Sequence, residues 1–167
     1  MRVLGIDPGA RLMGWALIEP DGSGYRYISS GVIDSKDIRA VPDRLLFIYR
    51  EVSDIIRLHG PDGMAIETVF FSKNQRSAFV LVQASAAAMI AALNSGVPVS
   101  EYQPMMIKKA LSGYGKADKE QVQLMVRRLL NIDHRLVTDT SDAMAVAICH
   151  INSAQLKSRI EGYALPH

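Results

Sequence analysis

The sequence predicts an α/β fold built on a mixed, five-stranded sheet, and three observations predict it. Two short apolar runs, Val3-Leu4-Gly5-Ile6-Asp7 and Met64-Ala65-Ile66-Glu67, have the length and composition of buried strands, and each closes on an acid. A segment of helical periodicity lies between them, so strand–helix–strand connectivity places them parallel in one sheet. Residues 13–33 read instead as two strands joined by a tight turn, which makes an antiparallel meander with the opening strand.

In chain order, Pro8-Gly9 turns the backbone sharply after the first strand. Met13–Ile18 and Tyr25–Ile33 follow as strands about the turn Pro20-Asp21-Gly22-Ser23-Gly24. Pro42 and Asp43 open a helix through Leu58, with Leu45, Ile48, Val52, Ile55 and Ile56 on one face and Gly60-Pro61 as its stop. After Met64–Glu67, a turn-like stretch 70–76 leads into an alanine-rich helix, 77–94. Gly96 and Pro98 end it, and Val97–Glu101 reads as a short edge strand. Pro104–Leu111 is a short helix carrying Lys108 and Lys109, and 112–115 is a break rich in glycine. Asp118 with Gln121 forms a capping-box pattern for a helix burying Val122, Met125, Val126 and Leu129. The last helix runs from about Asp139 towards Gln155. Residues 1–155 therefore read as a single domain and 156–167 as a frayed C-terminal tail.

At 167 residues and 49% hydrophobic content, the chain is long enough for one domain with a substantial core. Its 19 basic and 17 acidic residues nearly balance but are unevenly placed. Residues 1–72 hold 8 basic and 10 acidic side chains, whereas residues 73–128 hold 8 and 3, a net +5. A basic middle third beside acidic ends suits an anionic polymer approaching a carboxylate site, and equally suits a solvated positive face. The single cysteine, Cys149, excludes an intramolecular disulfide and fits a reducing compartment. With no signal-peptide pattern at the start and no apolar run of membrane-spanning length, the expectation is a soluble cytoplasmic protein.

The chemistry rests on acids far apart in sequence. Asp7 and Glu67 close buried strands, where a carboxylate is costly unless paired, and Asp139-Thr140-Ser141-Asp142 opens the last helix. Each has a plainer reading. Asp7 suits an Asp-Pro-Gly turn, Glu67 a lysine salt bridge, and Asp139 with Asp142 a helix start. Taken together, they form a set of four hard oxygen donors suited to Mg²⁺ or Mn²⁺. Such a set can hold two ions about 3.5–4 Å apart for in-line displacement at phosphorus. Zinc is disfavoured, because His59, His134, His150 and His167 show no paired ligand spacing.

The segments Ile6-Asp7-Pro8-Gly9, Ala65-Ile66-Glu67-Thr68-Val69-Phe70 and Asp139-Thr140-Ser141-Asp142-Ala143 together resemble the RuvC family of Holliday-junction resolvases. Gln83-Ala84, Lys108 and Lys119-Glu120-Gln121-Val122-Gln123 with Met125-Val126 extend the resemblance from residue 1 to about 152. It implies a ribonuclease-H-like fold and a homodimer acting on four-way DNA junctions. The resemblance further implies that two strands of like polarity are nicked symmetrically, leaving 5′-phosphate and 3′-hydroxyl ends. It also implies that Asp7, Glu67, Asp139 and Asp142 are the catalytic, metal-binding acids, that Lys108 and Lys119 lie against DNA phosphate, and that Phe70 stacks on bases at the opened crossover. Phe71 is a second aromatic outside the pattern. Lys73, Arg76, Lys109, Lys116, Arg127 and Arg128 are further candidates for phosphate contact, and surface solubility explains each equally well. RuvA and RuvB, the branch-migration proteins, are the partners the resemblance implies.

The small residues of helix 77–94 suit close approach by another helix, either in the core or at a dimer interface. Rival readings are a non-cleaving junction-binding protein and a related nuclease acting on RNA. An actin-like kinase or ATPase also begins with a strand ending Asp-x-Gly, but needs two such domains and more chain than 167 residues.

Overall fold

The structure, a computed structural model, describes residues 1–69, 75–113, 115, 117–133 and 137–163, with the backbone alone at 75–77 and 162–163. Its strands are β1 (Val3–Asp7), β2 (Leu12–Asp21), β3 (Gly24–Asp34), β4 (Gly63–Glu67) and β5 (Val99–Tyr102). The helices are α1 (Val41–His59), α2 (Gln75–Asn94), α3 (Pro104–Ser112), α4 (Lys119–Leu129) and α5 (Thr138–Tyr163). The sheet order is β3-β2-β1-β4-β5, with β1 antiparallel to β2 and parallel to β4, and β4 parallel to β5. The expected mixed five-stranded sheet is therefore the one found, with the strand bearing Asp7 at its centre.

The side-chain alternation of a strand divides the core into two layers. Leu4 and Ile6 of β1, Met13 and Leu17 of β2, and Met64 and Ile66 of β4 face Ile48 and Val52 of α1 and Ala84 and Ala88 of α2. Val3, Ala16, Ile18 and Ala65 face the other way, onto α5 with α3 and α4 beyond it. From Ala143 to Cys149, α5 is buried on every side, so this stretch shows no amphipathic period.

Local signals account for several element boundaries. Gly60 stops α1 in the left-handed conformation, with φ of 56°. The capping box opening α4 is formed: the Gln121 amide donates to Asp118 Oδ1 at 2.8 Å, and the Asp118 amide donates to Gln121 Oε1 at 3.3 Å.

One expectation needs adjustment, and one open alternative is decided. Helix α5 continues to Tyr163, well past Gln155; no Gly or Pro interrupts it between Asp139 and Glu161. Ala78, Ala84, Ala87, Ala88, Ala91 and Ala92 are all buried within this chain. Their small size lets α2 lie close to the sheet and α1, and a stripe of larger side chains, Phe79, Val82, Ile90 and Leu93, faces outward with Ala86.

Candidate metal centre and nucleic-acid interface

The parallel register pairs Gly5 with Ala65 and Ile6 with Ile66, so the next step along both strands sets Asp7 beside Glu67. Both acids lie at carboxyl ends of strands and on the face that carries α5. Thr68 holds this end of β4 in place: its amide donates to the Tyr102 carbonyl at 2.9 Å.

Asp139 and Asp142 come from the first turn of α5, which crosses this end of the sheet. Asp139 is the second residue of the helix rather than the residue before it. The Ser141 amide and the Thr140 hydroxyl both donate to the Val137 carbonyl, at 3.0 and 2.7 Å. Asp139 is therefore not the N-cap, although its place in the first turn still suits the positive end of the helix dipole.

All four acids share one electrostatic environment. Burial, then the charges of Asp142, Glu67 and Asp139, push the Asp7 carboxyl up to about 7, with Lys119 opposing. Burial and then Asp142 raise Glu67, while Lys119 and Lys108 pull it down. Among the described residues Glu67 has no salt bridge. The Lys119 ammonium instead lies 2.8 Å from Asp142 Oδ2, and that contact raises the lysine's own pKa.

Two hollows flank Glu67. One, of about 190 Å³, is bordered by Lys108, Lys119 and Asp142 over an apolar floor of Ile107, Val122 and Ala145. The other, of about 270 Å³, is bordered by Asp7, Pro8, Thr68 and Leu81. Glu67 and Pro104 line both and form the ridge between them.

The donor set fits a divalent cation of the Mg²⁺ class. It contains only hard carboxylate oxygens, and burial together with the charges of the neighbouring acids pushes the Asp7 carboxyl up to about 7. Among the described residues no three acidic, histidine or cysteine side chains form a ready-made cage. Asp142 is turned to Lys119.

Of the other expected contacts, Lys108 is half-buried at the hollow and Lys109 is exposed on α3. Arg127 folds back on its own chain, donating to the carbonyls of Ile132 at 3.3 Å and Asp133 at 2.9 Å, which gives it a structural task. Phe70, Phe71, Lys73 and Lys116, and the side chain of Arg76, lie outside the described residues, as do His134 and His167. His150 accepts or donates a 2.9 Å bond with the Tyr102 hydroxyl, and burial lowers its pKa.

Sequence reasoning passed over Gly14, which faces Asp7 across the β1–β2 pair. The available signal was a glycine inside a strand pattern, which marks close approach by another backbone.

A family model described as crossover junction endodeoxyribonuclease RuvC matches residues 3–150. A protein of that name from Geobacter sulfurreducens is 48% identical over 158 residues, covering 95% of this chain and 96% of the relative. Its counterpart from Geobacter metallireducens is 46% identical with the same coverage. Among solved structures, Thermus thermophilus RuvC in complex with a Holliday junction substrate superimposes with a TM-score of 0.89 at 32% identity, covering 95% of this chain and 97% of that one. The yeast mitochondrial Holliday junction resolvase, at 13% identity and a TM-score of 0.65, shares the fold.

Proposed function

The chain belongs to the RuvC family of crossover junction endodeoxyribonucleases, and on that premise we propose that it resolves four-way DNA junctions by paired, symmetric nicks in strands of like polarity. It is a nuclease with the ribonuclease-H-like architecture, and the family depends on a divalent metal. The observation that carries the reading at residue level is the meeting of Asp7 and Glu67 at adjacent strand ends under the first turn of α5.

In this reading Asp7, Glu67, Asp139 and Asp142 hold the metal, Mg²⁺ or Mn²⁺ and two ions per subunit. Such ions would supply Lewis acidity for activating a water and for neutralising charge on the leaving 3′ oxygen, consistent with 5′-phosphate and 3′-hydroxyl ends. The carboxylates supply the fixed negative frame. Partial burial of Asp7 and Glu67 strengthens the charge interactions there. Lys108 and Lys119, which both border the hollow beside Glu67, hold the scissile strand by its phosphates. Lys109, Lys73, Arg76 and Lys116 extend that basic track, and Phe70, with Phe71 next to it, stacks on an unpaired base.

A junction with an approximate two-fold axis calls for two sites related by the same axis. The homodimer forms through the outward stripe of α2, where Phe79 is 63% and Leu93 59% exposed. Large apolar side chains repeating along one helix face are an association surface. We read residues 1–155 as one nuclease domain acting in the cytoplasm, with RuvA and RuvB as branch-migration partners. No helix among the described residues is long and apolar enough to cross a membrane.

The test compares cleavage of a synthetic four-way junction, a linear duplex and an RNA–DNA hybrid with Mg²⁺. Symmetric nicks in the junction alone are expected. Cutting of the hybrid in preference would move the substrate to RNA, and binding without nicking would make the protein a junction binder.

A further inference from the structure

We propose that Gly14 is a positioning residue of the acidic site, setting how closely Asp139 approaches Asp7. The inference rests on the reading of these acids as metal ligands. A Cβ built on Gly14 would fall 2.0 Å from the Asp139 carbonyl oxygen, 2.5 Å from its carbonyl carbon and 3.1 Å from its Cβ. Two of those atoms are backbone, so no side-chain rotation relieves the clash. The backbone of the helix start or of the strand beneath it must give way.

Gly14 is needed for space rather than for conformation. Its φ lies outside the left-handed region, so any residue could adopt this backbone. Nor is a glycine demanded by everything packed on this face of the sheet. At Gly63 a Cβ would meet nothing closer than His150 Nε2 at 3.7 Å, an ordinary contact.

Position 14 differs because two acids meet there. It is the cross-strand partner of Asp7, and cross-strand partners share a face. It also carries the backbone of Asp139 directly on top. Gly5 does the same for the next turn of α5, where a Cβ would fall 2.1 Å from the Ala143 carbonyl oxygen. Gly5 therefore sets the depth of the helix body, and Gly14 sets the depth of the acid-bearing turn. One methyl group at position 14 moves Asp139 away from Asp7 while leaving every carboxylate in the chain.

The experiment uses the full-length protein and Mn²⁺ alone as probe, following free Mn²⁺ by electron paramagnetic resonance without DNA. Junction binding in EDTA and the melting temperature are measured alongside. Gly14→Ala is expected to weaken Mn²⁺ binding about tenfold or more while junction binding in EDTA stays within about twofold. Adding Asp139→Glu, whose longer side chain reaches back, is expected to recover most of the loss. Unchanged Mn²⁺ affinity in Gly14→Ala overturns the proposal. So does a loss that Asp139→Glu fails to recover and that tracks the melting temperature, because that describes a merely structural glycine. Should Gly14→Ala not fold, Asp139→Glu alone probes the same distance: overreach should weaken Mn²⁺ binding about tenfold, and parent-like binding overturns the proposal. A parent protein that binds no Mn²⁺, or binds it independently of Asp7, fails the metal-site reading itself and takes this inference with it.

Discussion

The ammonium of Lys119 lies 2.8 Å from Asp142 Oδ2, joining the first turn of α4 to the first turn of α5. The lysine also acts across space on Asp7 and Glu67, opposing the rise in pKa that burial and the neighbouring acids cause in both. It thus neutralises part of a crowded anionic site, and its partner is one of the acids assigned to the metal. In the proposed reading a metal ion would draw Asp142, and a DNA phosphate Lys119, out of this ion pair.

Lys119→Met should consequently have opposite effects on two measurements. Mn²⁺ binding without DNA should tighten about three- to fivefold, a modest gain because an ion pair with a 59% exposed lysine contributes little beyond about 1 kcal/mol. Junction nicking should fall by about 10² or more, because a phosphate contact is lost beside the reacting bond. Titration calorimetry and single-turnover cleavage separate the two. Weaker Mn²⁺ binding in the variant would mean that Lys119 supports the metal site rather than competing for it.

Asp7→Asn should abolish nicking, by about 10³-fold or more, and leave junction binding in EDTA intact. It should also stabilise the metal-free protein in a pH-dependent way. Asp7 titrates at about 7 when folded, against its ordinary 3.8, so the folded chain holds an extra proton between those values. Stability of the metal-free parent therefore declines as pH rises from about 4 to 7, and the deficit is complete above 7. The asparagine variant lacks this deficit. At pH 8 it should be more stable by on the order of 1–3 kcal/mol, with the gap closing towards pH 4. Thermal melts in EDTA at pH 4, 6 and 8 check the sign.

The two faces of α2 should respond differently to charge. Phe79→Asp or Ile90→Asp places a carboxylate on a surface that is already exposed, so the fold should persist while the dimer dissociates. Ala88→Asp buries one at a fully enclosed position and should cost about 3 kcal/mol or more, unfolding a large fraction of the protein. Sedimentation velocity with circular dichroism distinguishes the outcomes. A dimer surviving Phe79→Asp and Ile90→Asp combined would place the interface elsewhere.

Asp118→Ala removes one half of the capping box that starts α4. The expected loss is about 1 kcal/mol, or roughly 2–4 °C in melting temperature for a chain of this size. Because Lys119 is the first residue of that helix, fraying there should also reduce nicking severalfold. Asp118→Ser, which keeps an acceptor, should restore both, whereas a rate that stays low with stability restored would give Asp118 a role of its own.

The amino-acid sequence alone determined the features set by near neighbours in the chain. The unbroken apolar runs of β1 and β4, the strand–helix–strand connection and the Asp118–Gln121 box are local patterns. The first two suffice to bring Asp7 and Glu67 to adjacent strand ends. Contacts between layers were decided only by the tertiary structure. An alanine is compatible with any face of a helix, so nothing local indicated that the alanines of α2 turn inward and Phe79 and Ile90 outward. Likewise, the value of Gly14 lies in what crosses above it, a helix beginning more than a hundred residues later. The pairing of Lys119 with Asp142 depends on where α4 and α5 start in space, and that is settled by the packing of whole helices on the sheet.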